Sequence, residues 1–403
     1  SLDSAWRGLL LLMGVRWALD LLFLLNVLPL SLRDGWYLHH GGDQELMLSL
    51  ARSLLAGVPE ESVVGLGQAL VMVPWVALLR PYNYVEMVAP LVVLNGFLFG
   101  GLSVLLVGGL AHAVSHDGRA AWLSAAVWAV FPLLTYFAFF WHTESVMLRS
   151  VNVPKLAWLN GLSDGPATFF LLAALLLLAR QHAARGAGFW SLAGVGAALG
   201  LAVTFRIHTA PMAAFLFLHV LLAHGWQALL AVSGAALLVY LPQAWYNLTV
   251  FGIPFTSGYV SYGALALWGR ISNRPLEDWL TSLPYRPANA LDLLVYLLDR
   301  RPWLWPVLAL GLAVGVCMAL AMWRRRGWRV ASLLVLAPLV YLAPMVMAYN
   351  FRADMIRFLM PVVPVAIVAL VDFLLGVEER LGAARSAPGV DGGAGVQPGG
   401  HLE

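Results

Sequence analysis

The chain has 403 residues, of which 61% are hydrophobic and only 11% are charged, and its mean hydropathy is +0.80. A soluble domain carries about 25% charged residues, so this composition excludes a set of soluble domains. The net charge of +3 and the single cysteine give no indication of nucleic-acid binding, of an internal disulfide or of a cysteine-based zinc site.

Apolar runs recur along the chain, and a transmembrane helix needs about 20 mostly apolar residues. The segments that predict spans are 8–30, 86–112, 120–141, 166–181, 188–205, 208–224, 227–245, 303–323, 330–349 and 359–376. We therefore predict an all-α polytopic membrane protein with about 10–11 transmembrane helices. Its predicted membrane domain covers 1–376, and a cytoplasmic low-complexity tail covers 377–403.

Residues 64–79 form a shorter apolar stretch, interrupted by Pro74, that fits either a span or a helix at the membrane surface. Arginine is enriched in cytoplasmic loops, and the run 324–329 is the strongest such signal. If 64–79 does not cross, the other arginine-rich turns fall on the same side as this run. If 64–79 crosses the membrane, only the part of the chain before it takes the opposite orientation. A surface helix is therefore favoured, and the segments predicted to face outside are 31–85, 142–165, 246–302 and 350–358.

An amphipathic pattern in the first outer segment predicts a juxtamembrane helix from Gln44 to Leu55. Its predicted apolar face comprises Leu46, Met47, Leu50, Leu54 and Leu55, with Ser49, Arg52 and Ser53 opposite. Asp43 precedes this helix, and Asp164 precedes the span 166–181. Aspartate is a good helix N-cap, but a catalytic carboxylate at the membrane surface would occupy the same place, so both interpretations stay open.

Cations are unexpectedly frequent in the predicted outer segments. The only lysine, Lys155, lies there, and Arg206, Arg352 and Arg357 each adjoin the end of an apolar span. Outward cations that converge would hold an anion such as a lipid phosphate. For the arginines within 270–301, pairing with the acids of the same loop is the favoured interpretation.

The first span contains two opposite charges, Arg16 and Asp20, four residues apart on one helical face. They are predicted to pair with each other or with a neighbouring helix, because an isolated charge in the membrane is costly. Five histidines have no metal-ligand spacing and are interpreted as structural: His39, His40, His142, His208 and His219.

Four motifs follow one another on the predicted outer side. The first is the acidic motif 41–45 leading into 50–57, and the second is 162–170, where an aspartate enters a Phe-rich span. The third is 242–259, and the fourth, 357–364, begins with an arginine. In their order they resemble the GT-C superfamily of membrane glycosyltransferases, in the branch of protein O-mannosyltransferases and the lipid A aminoarabinose transferase. A glutamine separates the two acids of the first motif, which are adjacent in many relatives.

The resemblance implies transfer of a sugar from a polyprenyl-phosphate donor to a hydroxyl acceptor at the outer face of the cell membrane, with inversion. The residues that it assigns to this reaction are the catalytic candidates Asp43 and Asp164, the candidate phosphate ligands Lys155, Arg206, Arg352 and Arg357, and, for further contact with the substrates, Glu45 and His142. Some relatives use a divalent metal, and the sequence offers no ligand set for one beyond the two aspartates.

Other functions are compatible with some of these features. A transporter or flippase of a lipid-linked or anionic solute would also need outward cations, but the unequal outer loops and the lack of internal repeats favour an enzyme. A non-catalytic scaffold and a polymerase or ligase of lipid-linked glycans are further alternatives. The sequence identifies neither sugar nor acceptor; a lipid or glycan acceptor is favoured over a folded protein because no soluble outer domain is predicted.

Overall fold

The computed structural model describes residues 2–28, 43–62, 64–140, 162–183, 188–255, 304–348 and 359–386, together with residue 295. The regular elements within these ranges are all helical. They are α1 (Leu2–Leu24), α2 (Asp43–Leu55), α3 (Leu66–Leu79), α4 (Tyr84–Ser115), α5 (Gly118–Phe140), α6 (Asp164–Ala183), α7 (Phe189–Phe205), α8 (Ile207–His224), α9 (Trp226–Phe251), α10 (Leu304–Ala331), α11 (Ala337–Ala348) and α12 (Val363–Ser386).

Among the described residues, six helical segments are long and apolar enough to cross a bilayer, which indicates a membrane-embedded, all-α protein. They are Tyr84–Ser115, Gly118–Phe137, Asp164–Ala183, Ile207–His224, Trp226–Phe251 and Ala309–Ala343. The prediction of about ten spans included three helices outside this set. Of these, α7 has only 17 residues, whereas α1 and α12 carry several charged side chains.

The sixth segment contains most of two predicted spans, 303–323 and 330–349. Gly327 lies within it at φ 79° and ψ 172°, outside helical geometry, so the backbone bends within α10, four residues before its end. The bend falls in the predicted cytoplasmic run 324–329. A π-helical turn, Ser332–Leu336, then leads into α11.

The main core is a single apolar cluster to which α1 and α4–α12 contribute. At its centre Trp128 is fully buried, and its indole N–H donates to Ser103 Oγ at 2.8 Å. The predicted pairing in α1 is confirmed: Arg16 Nε lies 3.0 Å from Asp20 Oδ1, and both side chains are fully buried. Two opposite charges are thereby accommodated among apolar helices.

Helices α7 and α9 pack with their backbones close together because α7 has glycine at Gly196 and Gly200. A Cβ atom at Gly196 would lie 2.0 Å from the Val232 carbonyl oxygen, and one at Gly200 would lie 2.6 Å from that of Ala236. This spacing, small residues four positions apart, is common where membrane helices approach closely. The contact fixes the end of α7 relative to α9.

Helices α2 and α3 form a second, smaller core with the first turns of α4 and with Tyr246 of α9. With 14 residues, α3 is about 21 Å long, too short for a hydrocarbon layer of about 30 Å. The backbone N–H of Leu66 donates to Gln243 Oε1 at 2.8 Å, and Tyr246 Oη donates to the Glu60 carbonyl at 2.7 Å. These bonds attach the α2–α3 layer to α9.

The predicted faces of α2 are partly wrong. Ser53 is buried, and its Oγ accepts from the Glu60 N–H at 3.3 Å, whereas Leu55 is 49% exposed. Leu48 and Ala51, absent from the predicted face, are also buried. The reason is that α2 packs between α3 and α4 rather than resting one face on a flat layer.

Charged and polar contacts join the helices at the end that carries Arg324–Arg329. Arg326 Nη2 lies 2.8 Å from Asp372 Oδ1, and the exposed Arg119 Nη2 lies 3.1 Å from Glu378 Oε2. Both acids lie on α12, which continues to Ser386, past the predicted end of the membrane domain at residue 376. The helix therefore includes the first part of the predicted tail, and 387–403 lie outside the described residues.

His219, interpreted as structural, is buried at the same end. Its Nε2 lies 2.9 Å from Nε2 of His182, and its Nδ1 lies 2.8 Å from Ser332 Oγ. These contacts join α6, α8 and the π-helical turn. The two histidines before α2 and His142 lie outside the described residues.

Candidate functional site

The centre of the candidate site is an ion pair between two helix ends. Asp164 is the first residue of α6, and Arg206 directly follows α7. Arg206 Nη1 lies 2.6 Å from Asp164 Oδ1, and the side chains are 4% and 0% exposed. The two candidate residues, which the sequence placed in different roles, are therefore direct partners.

Asp43, the other acidic candidate, lies beside this pair. It is the first residue of α2 and is half-buried. Asp43, Ser163, Arg206 and His208 line one narrow pocket of about 10 Å³. That volume is roughly enough for one water molecule. The structure thus brings Asp43, Arg206 and the residue before Asp164 to one point.

A polar contact inside α4 positions the start of α6. Asn95 lies in the π-helical stretch Val92–Gly101, and its Nδ2 donates to the Leu162 carbonyl at 2.9 Å. Gln68 of α3 donates to Asn95 Oδ1 at 3.4 Å. π-helical segments displace side chains from the regular α-helical register and are frequent near functional sites. Here the stretch directs an amide at the backbone two residues before Asp164.

The backbone before Arg206 is held by a close helix contact and by aromatic packing. A Cβ at Gly65 would lie 2.6 Å from the Thr204 carbonyl oxygen, and one at Gly67 would lie 2.8 Å from Phe205 Cα. On its other side, the Phe205 ring stacks on Phe170 with centroids 5.5 Å apart. The start of α3 and the Phe-rich start of α6 therefore fix the position of Arg206.

An apolar groove of about 610 Å³ adjoins the site between α7, α8 and α9. Ile207, which follows Arg206, lines both this groove and the narrow pocket. The groove extends along α8 from Ile207 to Phe217, about 15 Å of helix. Among its described lining residues only Ser233 and Tyr240 have polar side chains. Its apolar surface suits a hydrocarbon chain.

The remaining candidates from the sequence divide into two groups. Glu45 is half-buried on α2 and is not among the described residues that line the narrow pocket. Four candidates lie outside the described residues: His142, Lys155, Arg352 and Arg357. Of the four cations predicted to converge, only Arg206 lies among the described residues, so the convergence stays a prediction.

Several residues that build the site were missed by sequence reasoning. Asn95, Gln68 and Gln243 are fully or almost fully buried, and each makes a hydrogen bond that positions a site element. His208 lines the pocket although it was interpreted as structural. Polar side chains inside apolar runs are rare and functional by default, and that signal could have identified the three amides.

A divalent metal does not fit the described part of the site. Within the described ranges, no three His, Cys, Asp or Glu side chains converge in a way that could hold a metal ion. The Asp164 carboxylate is in contact with the Arg206 guanidinium instead. We therefore derive no metal-dependent step.

The chain was compared with family models, with curated proteins and with solved structures, and none of them matches it.

Proposed function

We propose that the protein is a membrane glycosyltransferase that moves a sugar from a polyprenyl-phosphate donor to a hydroxyl acceptor at the outer face of the membrane, with inversion. The observation that supports this most strongly is the apolar groove that ends at a buried charged site: Ile207 borders both, and Arg206 and Asp43 line the pocket beyond it. A lipid-linked anionic substrate needs this combination of an apolar track and a cation. The order of the sequence motifs supports the same reaction.

In this proposal the polyprenyl chain lies in the groove between α7, α8 and α9, and its phosphate reaches Arg206. A guanidinium has five N–H donors, so an arginine that pairs with a carboxylate can also donate to a phosphate oxygen. Its positive charge would stabilise the lipid phosphate as it leaves. This effect is large in a site shielded from water, and the Arg206 side chain is only 4% exposed. Lys155, Arg352 and Arg357 are proposed as further phosphate ligands.

Asp43 is proposed as the general base. It would accept the proton of the acceptor hydroxyl as that oxygen attacks the anomeric carbon from the face opposite the phosphate. The bond between the anomeric carbon and the phosphate oxygen breaks at the same time, and its electrons leave on the lipid phosphate. One displacement inverts the configuration. A half-buried carboxylate beside Arg206 is in a suitable position for this step.

Asp164 has a positioning role in the proposed reaction. The resemblance implies that it orients the acceptor or shares the role of base. Its carboxylate is fully buried and lies 2.6 Å from Arg206, so orienting that guanidinium is the role that the contact favours. A fixed guanidinium needs less reorganisation when charge develops on the leaving phosphate.

The test is a transfer assay with the purified full chain in proteoliposomes and a panel of radiolabelled polyprenyl-phosphate sugars. The enzyme is expected to release lipid phosphate and to label a lipid or glycan acceptor. Asp43→Asn should lower the rate about 10²–10⁴-fold, because an amide is not a useful base. Its melting temperature should stay unchanged, because asparagine begins a helix as well as aspartate does.

Asp117→Asn is the matched control. Asp117 Oδ1 accepts from the Arg119 backbone N–H at 2.8 Å before α5, at the other end of the molecule. The same chemical change there should preserve transfer. Movement of intact donor across the vesicle without release of lipid phosphate would instead identify a transporter. Full activity in Asp43→Asn would exclude Asp43 as the base.

A further inference from the structure

A second and larger cavity lies at the opposite end of the helices from the candidate site. Its volume is about 930 Å³, and it is bordered by α1, the end of α4, the start of α5 and the end of α6. From Asp164 to Arg180, which lines this cavity, α6 rises about 24 Å. The cavity therefore lies near the other membrane face, which the arginine distribution assigns to the cytoplasm.

The charged side chains of this cavity are all basic. Its described lining includes Arg119, Arg180, His112 and His116 and no acidic residue. Arg119 pairs with Glu378 on α12, which offsets much of its charge. Arg180 is exposed, and it makes no hydrogen bond or ion pair with any described residue. A ligand of this cavity should therefore be anionic.

The rest of the cavity wall is apolar and aromatic. Leu9 and the glycine pair 108–109 form part of its floor, and Trp6 and Trp122, 40% and 48% exposed, lie at its rim. Tryptophan is enriched where membrane helices meet the lipid headgroups. A wall with tryptophan, an apolar floor and arginine suits an amphiphile that has a hydrocarbon part and an anionic head.

We propose that this cavity binds the headgroup and upper acyl chains of an anionic phospholipid from the inner leaflet. The phosphate lies against Arg180, the acyl chains follow the apolar wall between α1 and α6, and the two tryptophans border the glycerol region. A free anion would use Arg180 but would leave the apolar wall in contact with water. The volume exceeds what a free phosphate needs and matches a lipid headgroup with the first part of its chains. This site is independent of the proposed sugar transfer.

The experiment is native mass spectrometry of the purified full chain in mild detergent, titrated with dioleoyl phosphatidylglycerol or dioleoyl phosphatidylcholine. One phosphatidylglycerol should be retained with a Kd at least about tenfold lower than that of phosphatidylcholine, the difference made by a charge-assisted contact. Arg180→Gln should remove this preference. Arg324→Gln, an exposed arginine at the same end but outside the cavity, should preserve it.

Two further measurements test whether the lipid occupies the cavity and whether its acyl chains contribute to binding. A Cβ at Gly118 meets no atom within 4 Å, so Gly118→Phe should fold and should weaken phosphatidylglycerol binding by filling the cavity, even if Arg180→Gln does not fold. Glycerol 3-phosphate carries the charge without the chains and should not displace the lipid. Equal binding of the two lipids, unchanged binding in both cavity variants, or displacement by glycerol 3-phosphate would each overturn the proposal.

Discussion

Arg206 and Asp164 form a buried ion pair that joins the end of α7 to the first residue of α6, with Nη1 and Oδ1 2.6 Å apart. Neither side chain is more than 4% exposed, so bulk water cannot replace one partner when it is removed. Breaking such a pair costs much more than the pair contributes to stability, because a buried charge is left behind. Substitutions of this pair are therefore expected to change the stability of the protein as well as its activity.

Arg206→Met should destabilise the protein by about 3–5 kcal/mol, because the Asp164 carboxylate stays buried without this guanidinium. Asp164→Leu combined with Arg206→Met should recover most of that loss, since no buried charge is left. Equilibrium unfolding in mixed micelles with increasing dodecyl sulfate measures the free energy of unfolding of the single and the double variant. If the single variant is as stable as the unmodified protein, the 2.6 Å contact does not exist in solution.

Gly67→Ala should lower transfer activity without preventing folding. The added Cβ would come within 2.8 Å of Phe205 Cα, so the residue before Arg206 must move. A displacement of about 1 Å far from the reacting atoms can cost about 10²-fold in rate. Gly234→Ala on α9 is the control, because its Cβ meets no atom within 4 Å. Equal rates for the two variants would show that α3 does not position Arg206.

Gly196→Ala should destabilise the α7–α9 contact by about 1–3 kcal/mol, the usual cost of overpacking. Its Cβ would overlap the Val232 carbonyl, which is backbone and cannot rotate away. Gly194→Ala, two residues earlier on the same helix, would meet only the flexible end of Leu177 at 3.2 Å. Thermal unfolding should give a lower melting temperature for Gly196→Ala than for Gly194→Ala. The opposite order would contradict the close contact between α7 and α9.

Sidedness is tested by cysteine labelling in a Cys317→Ser background, because the exposed Cys317 is the one native thiol. An impermeant maleimide should label Tyr82→Cys in intact cells, since Tyr82 is 87% exposed and lies in the predicted outer segment 31–85. Arg324→Cys should be labelled only after permeabilisation. Labelling of Arg324→Cys in intact cells would reverse the predicted orientation.

Local sequence patterns predicted the features that depend on near neighbours. Most apolar runs correspond to helices, because a backbone in lipid must satisfy its own hydrogen bonds. Arg16 and Asp20 pair as expected from their spacing of four. The bend at Gly327 falls in the predicted arginine-rich turn.

Contacts between distant segments were not predictable in the same way. Asp164 begins α6 and Arg206 follows α7, and no local rule relates them. The burial of Ser53 depends on the return of the chain to Glu60 and on the packing of α3 against α2. The close approach of Gly65 and Gly67 to the end of α7 likewise follows from helix packing, which periodicity does not report.

The attachment of the α2–α3 layer to α9 also sets an order of assembly. The bond from Leu66 to Gln243 joins residues 177 apart in the chain, and that from Tyr246 to Glu60 joins residues 186 apart. During synthesis the N-terminal part emerges first. The bonds that attach α2 and Asp43 to α9 can therefore form only after α9 has been inserted. A nascent chain that ends before Gln243 cannot complete the site, and activity should appear only after α9 has entered the bilayer.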